Sequence, residues 1–185
     1  MDNIIFQEIK NVDCDLVEKI VKLERRNLGE DASVNEWVIP VIIRYGKLIV
    51  AKKHREPISS ESRKSRISKG AIKENDIKES IVDKSDNTEI IGVCEIIKSL
   101  REENTAFIHS FYVERKYRNK GIGKKLMQNA IDALKDDNIK IIELTVDPAN
   151  SSAVHLYNKC GFKRVGLRKD EYGRGVDRDL MILKL

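Results

Sequence analysis

The sequence predicts a single α/β domain, and three observations carry that reading. An apolar, alternating run at residues 107–113 leads through a glycine-bearing turn into an amphipathic helix; a second strand and helix follow at residues 141–160; and 185 residues with 41% hydrophobic content give room for one proper core. Charged residues make up 35% of the chain, so part of its length is solvated.

The elements follow in order. Residues 4–9 alternate weakly and read as a first strand. Asp13 or Asp15 caps a helix whose inward face carries Leu16, Ile20 and Leu23, with Val17 and Val21 adjacent, ending near Gly29. Ser33 and Glu36 form a capping-box pattern for a second helix built on Trp37, Val41 and Tyr45. Pro40 interrupts it, which predicts a kink or a short helix restarting there. Strands are expected at residues 47–51, 89–99 and 105–113. Downstream, Ile122, Leu126, Ala130, Ala133 and Leu134 share one helical face, with Met127 and Ile131 beside them. A strand at 141–146, a helix at 151–160 closed by Gly161 as a left-handed cap, and a last strand at 179–185 complete the chain.

Residues 53–86 break the pattern. They read as a polar, flexible insertion with a serine-rich basic part at 59–68 and a short helix near 71–82. Before residue 70, Lys52, Lys53, Arg55, Arg63, Lys64, Arg66 and Lys69 face only Glu56 and Glu61, which suits a solvated loop, a surface for an acidic partner or a lid. No nucleic-acid motif accompanies it and aromatic residues are only 5% of the chain, so specific nucleic-acid binding is not expected. Cys14, Cys94 and Cys160 lack metal-like spacing, and no long apolar run precedes them. The expectation is a reduced, cytoplasmic protein with no membrane segment and no metal. Cys14 is expected to be exposed, Cys94 and Cys160 to be small core hydrophobes.

The core of residues 113–123 has the form Arg-x-x-Gly-x-Gly, from Arg118 to Gly123. At a helix start the first N–H groups lack intrahelical partners and the dipole favours anions, so glycines let several donors approach a pyrophosphate. Arg118, Lys120, Lys124 and Lys125 add positive charge. A P-loop would need glycine where Arg118 stands and Ser or Thr at Lys125; a dinucleotide fingerprint would need Gly or Ala at Leu126. The turn instead resembles the acyl-CoA loop of the GNAT N-acetyltransferase superfamily. A second constellation agrees: Asn150, Ala153, Leu156, Tyr157, Lys159, Gly161 and Phe162 match the family pattern Asn-x-x-Ala-x-x-Leu-Tyr-x-Lys-x-Gly-Phe.

The resemblance implies a GNAT fold in the succession βααβββαβαββ: a mixed six- to seven-stranded sheet with about four helices, the strands at 105–113 and 140–146 parallel but splayed. Pantetheine would enter that gap like a missing strand. It also implies acetyl-CoA as co-substrate, an amine acceptor and direct transfer in a ternary complex; a homodimer stays open. Phe111, Val113, Arg118, Asn119, Lys120, Gly121, Ile122, Gly123, Lys124, Asn150 and Tyr157 are the expected cofactor contacts. Tyr157 falls on the tyrosine that protonates or hydrogen-bonds the departing thiolate, and Asn150 serves as helix cap, pantetheine ligand or both.

An alkylammonium at pH 7 must lose a proton at a cost of about 4.6 kcal/mol. His109, where some members carry glutamate, is the first candidate base and Glu95 the second; Phe107 stands where others place a glutamate base, so that role is vacant and water is an alternative carrier. By alternation His109, Phe111 and Val113 share a face opposite Ile108, Ser110 and Tyr112. A histidine satisfied within the sheet and a tyrosine merely packed are the plainer readings. The acceptor is expected between residues 28–33, with Glu30 and Asp31, and residues 169–178. A catalytically silent acyl-CoA-binding or regulatory domain is the alternative function.

Overall fold

The computed structural model describes residues 3–29, 36–54 and 87–185. The insertion with its short helix and basic part, Ser33 of the capping box, and Glu30 and Asp31 lie outside the described residues. Seven strands form one sheet in the order β1-β2-β3-β4-β5-β7-β6: β1 (Ile4–Ile9), β2 (Gly46–His54), β3 (Thr88–Lys98), β4 (Thr105–Val113), β5 (Ile141–Val146), β6 (Lys163–Arg168) and β7 (Arg178–Lys184). The helices among the described residues are α1 (Cys14–Leu28), α2 (Val38–Tyr45), α3 (Ile122–Asp136) and α4 (Ser151–Lys159), with a 3-10 turn at Arg115–Tyr117. All strand pairs are antiparallel except β4 and β5. The expected succession and mixed sheet are therefore present. No described helix is long and apolar enough to cross a membrane.

Both faces of the central strands are covered, which is why β2 reads as an unbroken apolar run rather than an alternation. Ile49 and Ala51 pack toward the core under α3, with Leu126, Met127, Ala130, Ile131 and Leu134. Leu48 and Val50 pack on the other face with Ile20, Leu23, Ile39 and Ile42 of α1 and α2. Leu126 is fully buried, so truncating it to alanine would cost about 2–5 kcal/mol.

Asp13 is the cap of α1, its carboxylate accepting the N–H of Leu16 at 2.8 Å. The second helix differs from expectation in its face. Ile39, Ile42 and Ile43 are buried, whereas Trp37, Val41 and Tyr45 are exposed. The segment is apolar nearly all round, so two stripes compete, and the isoleucines fill the core. Pro40 sits in the first turn of α2, where a backbone N–H has no intrahelical partner to lose. Cys14 is exposed, Cys94 buried and Cys160 half-buried.

Candidate active site

Parallel pairing of β4 with β5 runs only from Thr105 opposite Ile141 to Ile108 opposite Leu144. At that point β4 also slips against β3: Ser110 faces Glu95 and Ile108 faces Ile96, leaving His109 as an extra residue. Such a bulge bends and twists its strand, and here it coincides with the parting of β4 from β5. It also inverts the side-chain alternation. Ile108 joins Val113 and Phe111 in the core under α3, while Tyr112 packs toward α1; the expected grouping of Ile108 with Tyr112 is thereby corrected.

Beyond the bulge the β4 backbone has an open edge. Glu114 donates its N–H to the carbonyl of Ile91 at 2.8 Å, and Val113 lies opposite Gly92. Alternation in an antiparallel ladder then turns the main-chain groups of Val113 and Phe111 away from β3, toward the side that β5 has left.

This edge runs into the glycine-bearing turn. Asn119 and Gly121 have φ of 59° and 74°, left-handed values that glycine adopts freely and asparagine tolerates. The first residues of α3 follow with no side-chain cap, and the first backbone bond into the helix is Lys125 N–H to the Gly121 carbonyl. The N–H groups of Ile122, Gly123 and Lys124 therefore precede the intrahelical ladder and suit an anion. Gly123 allows close approach of α4 as well: a β-carbon there would stand 3.3 Å from Leu156 Cδ2.

Arg118 departs from the expectation of a phosphate-facing charge. Its Nε donates to the Val113 carbonyl at 2.8 Å and its terminal nitrogen to Asn27 Oδ1 at 3.1 Å, while Asn27 donates to the carbonyl of Leu23. The guanidinium braces the end of β4 and the turn against α1.

Tyr157 is 7% exposed at the other wall. Its ring meets Phe111 edge-on at 6.1 Å and Phe162 at 6.0 Å. Burial, reinforced by the neighbouring Cys94 and Cys160, pushes its phenol well above the ordinary tyrosine value. The helix carrying it begins at Asn150, whose Oδ1 accepts the N–H of Ala153 at 3.2 Å, so the capping role of Asn150 is present.

The two candidate bases are placed differently. The His109 side chain is exposed where the strands part, and partial desolvation lowers its pKa below the usual 6.5. Glu95 has no exposure at all. Neither of its carboxylate oxygens meets a hydrogen-bond donor with full geometry among the described residues. Burial and then the nearby Glu24 carboxyl raise its pKa strongly, so the two buried carboxyls hold at least one proton between them near neutrality. Ser110, the residue after the bulge, donates its hydroxyl to Glu24 Oε1 at 2.7 Å. Phe107 is half-buried, beside Glu143 of β5.

Two features were not singled out from sequence. Glu24 sits on the inward stripe of α1, where a carboxylate interrupting an apolar period was the available signal. Thr145, on β5 just past the last parallel pair, shares a 2.9 Å hydrogen bond with Tyr172 of the β6–β7 hairpin, and the Arg178 guanidinium lies 5.5 Å from the Tyr172 ring. That hairpin carries the 169–178 segment to the edge of the opening. Among the described residues no three His, Cys, Asp or Glu side chains gather as a metal site.

Known proteins share this arrangement in part. The N-alpha-acetyltransferase of Sulfurisphaera tokodaii is 39% identical over 77 residues, covering 41% of this chain and 46% of that protein. The L-amino acid N-acyltransferase MnaT of Escherichia coli is 30% identical over 83 residues, covering 42% and 46%. The match thus spans less than half the length of either relative. The crystal structure of the NatC complex bound to Gag peptide and CoA has a chain of the same fold, with a TM-score of 0.72 at 22% identity over 99% of both chains. Residues 49–162 match the family model described as the acetyltransferase (GNAT) family, more than half of the sequence, and the chain belongs to that family.

Proposed function

We propose that the chain transfers an acetyl group from acetyl-CoA to an α-amino group by direct attack in a ternary complex. The observation that carries this is the continuity of the open β4 edge at Phe111 and Val113 with the uncapped start of α3. An extended pantetheine arm hydrogen-bonds along the first, and the diphosphate that follows it meets the amides of residues 119–124. The α-amine acceptor is supported by the relatives' names, an N-alpha-acetyltransferase and an L-amino acid N-acyltransferase, and by the Gag peptide in the NatC complex.

The amine nitrogen attacks the thioester carbonyl, the carbon–nitrogen bond forms, and the carbon–sulfur bond breaks. The Val113 N–H, turned toward the opening, stabilises the developing oxyanion. His109 takes the amine proton directly or through water, and its depressed pKa keeps it neutral, hence basic, at pH 7. Tyr157 acts on the sulfur. A thiol near pKa 8.5 and an ordinary phenol near 10 differ by about 2 kcal/mol against full proton transfer, and burial widens that gap. Tyr157 therefore stabilises the departing thiolate by donating a hydrogen bond rather than surrendering its proton. Glu95 is shut off from the opening, and it is Glu24 that holds Ser110, and so the bulge, against α1.

Release of free thiol from acetyl-CoA tests this with peptides bearing free or blocked N-termini, free amino acids, and polyamines. Turnover that requires a free α-amine is expected. Tight acetyl-CoA binding without turnover on any amine would instead support the silent acyl-CoA-binding domain that the phenylalanine at 107 favours.

A further inference from the structure

Beside the turn lies a concentration of positive charge that the diphosphate does not account for. Three ammonium groups surround the Tyr117 ring: Lys116 Nζ at 5.0 Å from its centroid, Lys53 at 5.4 Å and Lys120 at 5.5 Å. They come from three places, the 3-10 turn, the end of β2 and the phosphate turn itself. Glu89, at the start of β3, fixes the assembly by accepting from Lys116 Nζ at 2.6 Å and from the Tyr117 hydroxyl at 3.0 Å. Lys120 Nζ donates to the Lys116 carbonyl at 3.2 Å.

Like charges this close repel one another, and the face of one tyrosine offsets each by only about 0.5–1 kcal/mol at an exposed site. Glu89 is the carboxylate in contact with the group among the described residues. Glu114 also acts on Lys116 through its charge, but its carboxylate accepts from Asn27. Among the described residues the cluster is thus electrostatically incomplete. A phosphate monoester, carrying nearly two negative charges at pH 7 with three acceptor oxygens, complements it in charge and in number of donors.

Resting on the acetyl-CoA reading above, we infer that Lys53, Lys116 and Lys120 around Tyr117 bind the 3′-phosphate of coenzyme A and make the protein discriminate against cofactors that lack it. The diphosphate has its own donors in the amides of the turn, whereas Lys53 belongs to β2 and is surplus to that turn. Lys120 spans both groups, so a single ligand carrying two phosphate centres a ribose apart engages the amides and the ammonium cluster together.

The test compares coenzyme A with 3′-dephospho-coenzyme A by titration calorimetry, on the parent protein and on the Lys53→Gln/Lys116→Gln/Lys120→Gln variant. The parent is expected to bind coenzyme A at least roughly tenfold tighter, as charge-assisted contacts to one phosphate imply. The triple variant should bind both ligands alike, and more weakly than the parent binds the dephospho form, because Lys120 also serves the diphosphate. Lys53→Gln alone, lying outside the turn, should remove part of the preference without altering affinity for the dephospho form. Equal binding of the two ligands by the parent, or a preference that survives in the triple variant, overturns the inference while leaving the acetyl-CoA reading intact. Failure of the parent to bind either ligand overturns that reading itself.

Discussion

The Phe162 N–H donates to the Tyr157 carbonyl at 3.0 Å, and the two rings lie 6.0 Å apart. With Gly161 N–H bonded to the Asn158 carbonyl, this is a Schellman cap with its apolar contact, so the ending of α4 also seats the tyrosine. Gly161 makes it feasible with φ of 95°. Gly161→Ala should cost about 1–2 kcal/mol from the left-handed backbone, with a new β-carbon 3.2 Å from Leu183 Cδ1. Denaturant unfolding should show that loss, together with a fall in turnover; unchanged stability would mean that the cap is not strained as described.

Tyr157→Phe keeps the ring packing and removes only the hydroxyl. Turnover should fall by roughly 10–100-fold, while acetyl-CoA affinity and stability stay close to the parent's. Rates equal to the parent's would take Tyr157 out of the reaction.

His109 gives a pH dependence whose sign is fixed. Its folded pKa lies below 6.5, so kcat/KM should rise with pH, with the midpoint of the rise below that value. His109→Ala should abolish this acidic limb as well as lower the rate. In the same window the unfolded chain binds more protons, so stability also rises with pH there; the limb in the rate must therefore be measured on protein shown to be folded. A profile identical in the two proteins would leave water as the proton carrier.

The buried Glu95 predicts the opposite slope. Its folded pKa is raised, so the folded protein holds the extra proton above the ordinary carboxylate range, and the stability this supports is lost as pH climbs toward the raised value. Glu95→Gln, neutral at every pH, should flatten the decline seen in parallel unfolding curves from pH 5 to about pH 9. An equally steep decline in both proteins would show that the carboxyl pair does not govern it.

Much of this was legible locally. The α3 and α4 motifs, the β4 and β5 ranges and the caps at Asp13, Asn150 and Gly161 depend on residues close in sequence, and each landed where expected. What stayed hidden was pairwise. The bulge at His109 is a slip between β3 and β4, and Phe-Ile-His-Ser-Phe reads as the same alternation with or without it. Glu24 and Glu95 meet across α1 and the sheet, far apart in the chain, as do Thr145 and Tyr172. The α2 face was ambiguous because Val-Ile-Pro-Val-Ile-Ile offers apolar residues in every direction. Arg118 carries charge in the right motif but spends it on the Val113 carbonyl and Asn27, a partner choice that no local pattern encodes.

Amide chemical-shift mapping during a titration with coenzyme A tests the assignment of the open edge and turn most directly. The account predicts the largest perturbations at Phe111 and Val113 and at residues 119–124, saturating together. Saturable binding that leaves those amides unmoved while shifting residues elsewhere would contradict it.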